Sequence, residues 1–165
     1  RDLHSFPTRR SSDLFLSLFG NVFEKTESVA VEAFESKPFK NFEDIVFKML
    51  DIYENYEKNK ILEILNAHPE LAVAKKMTSE SISEQASAKL NQCSNDEYEE
   101  FKKLNSEYKK KFNFPFIIAV KGKDKNEILN NFRQRIQSDV ESEFLEAKKQ
   151  VKKIATFRLN EINKK

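Results

Sequence analysis

His68 is the residue whose type most directly suggests chemistry. It stands directly before Pro69 in the stretch AHPELA, and the only other histidine of the chain is His4. Histidine is the side chain best suited to proton transfer near neutral pH, so His68 is a candidate acid or base. The alternative interpretation is an ordinary histidine at the end of a helix. A zinc site would need three or four suitable ligands, and neither HExxH nor CxxC occurs, so we expect no metal site.

A second group of polar residues lies in the stretch SESISEQAS. Ser81 and Glu84 have the spacing of a capping box, which predicts that a helix begins there. The free amides and partial positive charge of such a first turn also suit an anionic or carbonyl-rich ligand. Gln85 adds one acceptor and two donors beside them. Capping alone is enough to explain Glu84, so this group by itself is weak evidence for a site.

Two features near the carboxyl end are less usual. Arg158 shares a helical stripe with apolar residues, so its guanidinium either extends past them to solvent or points inward to meet a carboxylate.

The segment FPFIIAVKG is apolar at every position from 114 to 120, which favours a buried strand, but no second strand is predicted to pair with it. We therefore expect a buried extended segment or a short helix. Its backbone amides and carbonyls need partners, some of which a ligand could supply.

Helical periodicity dominates the elements that must position these residues. Apolar residues recur every three or four positions from Phe15 onward, Asn41 and Asp124 are predicted N-caps, and Asn113 is predicted to end a helix in a left-handed conformation. His68 is placed at a helix end, because a residue before proline is pushed away from helical angles. With only two glycines and four prolines, the chain is predicted to form an all-α, compact single-domain bundle of about seven to nine helices.

Charge and composition exclude several classes of partner. The 29 basic and 27 acidic residues are interleaved and leave a net charge of +2, so we expect no face that binds nucleic acid. The apolar runs are far shorter than the ~20 residues that cross a bilayer, so no membrane association is expected. Cys93 is the only cysteine and has no partner for a disulfide, which fits a reducing compartment.

The first fourteen residues, RDLHSFPTRRSSDL, differ from the rest of the chain. They lack a strong helical stripe. A secretory signal would need an uninterrupted apolar run, and polar and charged residues interrupt this stretch. They look like the translation of a common short-read sequencing adapter joined in frame to a truncated coding sequence. A genuine basic arm is the alternative. We therefore expect residues 1–14 to be non-native and residues 15–165 to form the functional domain.

Several of these motifs occur together in one order. FLSLFGNVFE, HPELA, SxxEQ, KFxFPFIIAVKG and VKKIATFRL follow one another from Phe15 onward. In this combination the chain resembles the family of 2-oxo-4-hydroxy-4-carboxy-5-ureidoimidazoline (OHCU) decarboxylases, enzymes of urate breakdown that yield (S)-allantoin. Lys89 and Asn113 stand where the family usually has glycine, and a tryptophan often found near Phe34 is absent.

The resemblance implies an all-α homodimer that acts on a small molecule and needs neither a metal nor an organic cofactor. The chain has no peroxisomal Ser-Lys-Leu ending, so a cytoplasmic enzyme is expected. His68 would be the catalytic acid/base and Glu84 its partner. The residues implied to bind the substrate are Pro69, Ser81, Gln85, Phe116, Ile117, Ile118, Ala119, Val120 and Arg158. The alternatives are a helical interaction module that keeps the fold without activity, and a lyase acting on a related imidazolone acid.

Overall fold

The computed structural model describes residues 9–73 and 78–165, and within these ranges the regular structure is entirely α-helical. This confirms the all-α prediction and its number of helices. Among the described residues, no helix has the length and apolarity that a membrane span requires. The helices are α1 (Arg9–Phe19), α2 (Ser28–Glu35), α3 (Phe42–Glu54), α4 (Lys58–Ala67), α5 (Ser79–Ser87), α6 (Asn95–Phe112), α7 (Lys125–Arg135) and α8 (Val140–Lys164).

The chain forms two compact units. Among the described residues, the first contains those up to Ala67 together with Lys152–Lys165, and the second contains those from His68 to Val151, so α8 contributes to both. In the first unit, aromatic rings fill the core, with Phe23 and Tyr53 stacked at 4.9 Å between ring centroids. In the second unit, Phe116 stacks on Phe132 at 3.9 Å and Tyr108 packs its edge against both. Among the described residues, ten phenylalanines are buried, and they supply much of the large apolar volume of the two cores.

Three of the predicted helix ends are confirmed. The side chain of Asn41 accepts a hydrogen bond from the Asp44 amide at 2.9 Å, and Asp124 accepts one from the Glu127 amide at 2.9 Å. Asn113 ends α6 with a φ of 65°. Each of these signals is local, because a cap and the amide that it satisfies lie within one turn of chain.

Two helix starts differ from the prediction. The Ser81–Glu84 capping box is wrong: α5 begins at Ser79, and its N-cap is Thr78, whose hydroxyl accepts from the Ser81 amide at 3.3 Å. The threonine is itself a good cap, and it lets the helix begin one turn earlier. Similarly, α1 begins at Arg9 rather than near Phe15, because the buried Ser11 continues the stripe of Phe15 and Phe19 at a spacing of four.

Residues 115–120 form neither a helix nor a strand, and every side chain from 114 to 120 is buried. Of the two predicted conformations, the buried non-helical segment is the one observed. Residues 1–8 of the predicted non-native tail, and residues 74–77, which precede α5 in the sequence, lie outside the described ranges.

Candidate active site

His68 lies directly after the end of α4, as predicted, and its side chain is only 6% exposed. The turn that follows His68 and Pro69 is held by two side-chain amides from other helices. Gln85 of α5 donates from Nε2 to the Glu70 carbonyl at 3.2 Å and accepts from the Ala72 amide at 3.1 Å through Oε1. Asn105 of α6 donates to the Leu71 carbonyl at 3.0 Å. The backbone beside the candidate catalytic histidine is therefore fixed at three consecutive residues.

The face of α5 that carries the predicted residues points toward the interior of the second unit. Ser81 and Gln85 are buried and Glu84 is half-buried, as expected for positions that lie three and four residues apart on a helix. Since Gln85 bonds directly to residues 70 and 72, the helix carrying Glu84 is joined to the turn that follows His68. The structure thus brings together two of the motifs that lie apart in the sequence.

The segment of residues 116–120 is held by side chains instead of a neighbouring strand. Arg135 Nη1 donates to the Ile117 carbonyl at 2.7 Å, and Lys123 Nζ donates to the Ala119 carbonyl at 3.0 Å. The Ala119 amide donates to Gln150 Oε1 at 3.0 Å. The backbone partners that this irregular segment was expected to need are therefore supplied in part by the protein itself.

A buried polar cluster of Tyr108, Arg135 and Glu143 supports that segment. Arg135 Nε donates to Glu143 Oε1 at 2.8 Å, and the Tyr108 hydroxyl donates to the same oxygen at 2.5 Å. The guanidinium also lies 4.3 Å from the ring centroid of Phe116, within the range of a cation–π contact. Burial, followed by the hydrogen bond to Glu143, raises the pKa of Tyr108 far above its usual range. The tyrosine therefore remains a donor, and one carboxylate neutralises the buried guanidinium.

Arg158 lies in the first unit and is 6% exposed. Its Nη1 donates to the Asn21 carbonyl at 3.0 Å, and its Nη2 lies 3.3 Å from Glu24 Oε2. Of the two orientations open from the sequence, the guanidinium adopts the inward one and meets a carboxylate of the chain itself. Its predicted contact with the substrate remains a prediction.

Four buried polar residues of α6, α7 and α8 in this arrangement were not predicted: Asn105, Arg135, Glu143 and Gln150. All four lie three or four positions from apolar residues on the same helix. A polar residue on the buried stripe of a helix is the signal that could have identified them, because it must find a partner inside the protein. Within the described ranges there is no group of three His, Cys, Asp or Glu residues suited to a metal ion.

Comparison with known proteins assigns the chain to a family. The family model for OHCU decarboxylase matches residues 8–160. A uric acid degradation bifunctional protein of Bacillus sp. (strain TB-90) is 40% identical over 152 residues, which cover 92% of this chain and 30% of the relative. The OHCU decarboxylase of Haloferax volcanii is 36% identical over 153 residues, which cover 93% of this chain and 91% of the relative.

Two solved structures share the fold. A crystal structure of (S)-allantoin synthase superposes with a TM-score of 0.76 at 28% identity, covering 98% of this chain and 52% of that one. A crystal structure of OHCU decarboxylase in the presence of (S)-allantoin gives a TM-score of 0.74 at 25% identity, covering 93% of this chain and 99% of that one. The chain spans only about a third of the two bifunctional relatives, at 30% and 32% of their lengths, but 91% of the OHCU decarboxylase of Haloferax volcanii. A family match across most of the chain, together with that relative, shows that this protein belongs to the OHCU decarboxylase family.

Proposed function

We propose that this protein decarboxylates OHCU to (S)-allantoin, the reaction by which its family is named. The observation that carries the proposal is the turn after His68, which Gln85 and Asn105 fix at three consecutive backbone positions. A histidine that serves only to end a helix has no need of such support. An acid that must deliver a proton to one face of a ring does need it, because its direction of approach decides the product.

The proposed chemistry assigns each residue type a role. The bond between the carboxylate and a ring carbon breaks, carbon dioxide leaves, and the electron pair is delocalised over the adjoining conjugated ring. His68 then supplies a proton to one face, which yields one enantiomer. Glu84 is proposed to hold His68 in the orientation and protonation state that this transfer requires.

The remaining predicted residues would bind the substrate. The largely apolar segment of residues 116–120 favours a charge-dispersed transition state over a charged carboxylate, and its backbone groups can bond to the flat heterocycle. Pro69, Ser81 and Gln85 would line the pocket, and Arg158 would bind an anionic group of the substrate. Because Gln85 Oε1 and Nε2 both bond to the 70–72 turn, part of its contribution is to hold the turn.

We also propose a homodimer that works in the cytoplasm without metal or organic cofactor, as family membership suggests. Light scattering coupled to size-exclusion chromatography tests the dimer. Activity that survives dialysis against EDTA tests the independence from metal, and activity lost on dialysis and restored by a divalent cation would contradict it.

The function is tested by generating the unstable substrate in situ from urate with the two preceding enzymes of urate breakdown. The chiral signal of (S)-allantoin is then followed by circular dichroism. The proposal predicts that this protein accelerates the appearance of the signal. An unchanged rate would favour a helical interaction module without activity, whereas carbon dioxide release from a related imidazolone acid, but not from OHCU, would favour a lyase of different specificity.

A further inference from the structure

Gln150 of α8 is a buried residue whose two side-chain polar atoms have different partners. It is 7% exposed. Its Nε2 donates to Glu146 Oε1 at 2.8 Å, and its Oε1 accepts from the Ala119 amide at 3.0 Å. The carboxylate of Glu146 can only accept, so it determines that the nitrogen of Gln150 faces Glu146 and that the oxygen faces Ala119.

The side-chain hydrogen bonds to residues 116–120 fall on alternate residues, and the Val120 carbonyl accepts from the Lys123 amide at 3.0 Å. Protein side chains bond to the backbone of Ile117 and of Ala119, whose groups point to the same side in an extended chain. The backbone groups of Ile118, between them, are then directed to the opposite side. A side chain that fixes Ala119 therefore also fixes the direction in which the Ile118 amide and carbonyl point.

We propose that Gln150 is a positioning residue: through the Ala119 amide it orients the Ile118 backbone toward the substrate, and Glu146 orients Gln150. This inference rests on the proposed function, in which residues 116–120 present backbone groups to the heterocycle. Without the acceptor on Gln150, the Ala119 amide is a buried donor without a partner. The segment then moves to satisfy it, and a shift of even 1 Å in a binding group reduces turnover by about 100-fold.

The decisive comparison exchanges the two partners. Q150L removes the acceptor, and Q150E alone places two carboxylates against each other. The double variant E146Q/Q150E keeps an acceptor for the Ala119 amide at position 150 and reverses only the bond between positions 146 and 150, because the amide at 146 then donates to the carboxylate at 150. We expect turnover of OHCU to fall at least tenfold in Q150L and in Q150E, and to return to within about threefold of the wild type in the double variant. E146Q alone no longer fixes which way the Gln150 amide faces, because an amide at position 146 can donate or accept, so we expect its turnover to lie between those of Q150L and the wild type.

Amide hydrogen exchange of the peptide spanning residues 116–120 provides a readout that does not depend on activity. Exchange at Ala119 should accelerate in Q150L and slow again in the double variant.

If the wild type does not accelerate OHCU breakdown, the proposed function fails. The exchange rate then still decides whether Gln150 holds the segment. Three results would each overturn the inference. They are wild-type turnover in Q150L, a double variant that is folded but inactive, and an exchange rate at Ala119 that is the same in Q150L as in the wild type. Should Q150L fail to fold, Q150E against the double variant makes the same comparison.

Discussion

At the scale of single residues, side-chain amides and guanidinium groups bond to backbone that has no helical or strand partner. Gln85 and Asn105 bond to the turn after His68, and Arg135 and Gln150 bond to residues 117 and 119. Residue type predicted His68 as a candidate, because a histidine directly before a proline is visible in the sequence. The partner of Arg158 was not predictable, since Glu24 lies 134 positions away and the two meet only in the folded chain.

Glu84 separates a catalytic contribution from a structural one. Thr78, not Ser81, caps α5, so Glu84 is not required for the start of that helix. We expect E84Q to reduce OHCU turnover by at least tenfold with a loss of no more than about 1 kcal/mol in the free energy of unfolding. Turnover at fixed substrate and urea denaturation measure the two effects. E80Q, one turn earlier on the same helix, is the control, and equal turnover in both variants would remove Glu84 from the mechanism.

The buried pair of Arg158 and Glu24 is expected to matter strongly for stability. R158M leaves the Glu24 carboxylate buried without its cation, which we expect to cost about 3–5 kcal/mol of unfolding free energy. R158K keeps the charge but not the planar fork, so its cost should be less than half as large. Urea unfolding compares the two variants. Equal stability of R158M and wild type would contradict the importance of the pair, and loss of turnover in folded R158K would support substrate binding by Arg158.

At the scale of elements, both departures from family glycines fall at helix ends. Lys89 follows α5 with a φ of 60°, and Leu90 and Lys89 donate to the Gln85 and Ala86 carbonyls at 2.9 and 3.0 Å, as in a Schellman motif. Asn113 occupies the same conformation after α6. The helix ends with local signals were predictable, whereas the start of α5 was not, because Thr78 and Ser81 are both acceptable caps and packing decides between them.

K89G should stabilise the protein. Lys89 is exposed and adopts left-handed angles that a Cβ disfavours, so glycine should raise the free energy of unfolding by about 1 kcal/mol and Tm by about 2–4 °C. Thermal unfolding monitored at 222 nm measures the change. N113G is the matched comparison and should gain less, because asparagine tolerates these angles. A lower Tm for K89G would contradict the strain assigned to Lys89.

At the scale of the whole molecule, the all-α class followed from periodicity and the scarcity of glycine and proline. The conformation of residues 115–120 was harder to predict, because the propensity of these residues favours a strand, and side chains distant in the sequence bond to their backbone.

Burial of tyrosine side chains shapes the response of the protein to alkaline pH. Desolvation by burial raises the pKa of Tyr53 and Tyr108 far above 10.0, and burial followed by a hydrogen bond to Glu32 raises that of Tyr56 to about 12.

Stability should therefore fall as the pH rises above about 10. In that range the unfolded tyrosines lose protons that the folded protein retains, so the unfolded state binds fewer protons and its free energy falls relative to the native state. We expect Tm to decrease between pH 9 and pH 11, less steeply in Y108F than in wild type. Tyrosinate absorbance at 295 nm provides an independent check, and full ionisation of all four tyrosines in folded protein at pH 11 would contradict the expectation.

The most direct test of the proposed function compares wild type and H68N in the coupled urate assay. The measured quantity is the initial rate of the (S)-allantoin circular dichroism signal. His68 is proposed as the proton donor, so the rate in H68N should fall to that of the uncatalysed reaction, while its far-UV spectrum stays that of the wild type. H68N that is folded and still produces (S)-allantoin at the wild-type rate would contradict the central role of His68.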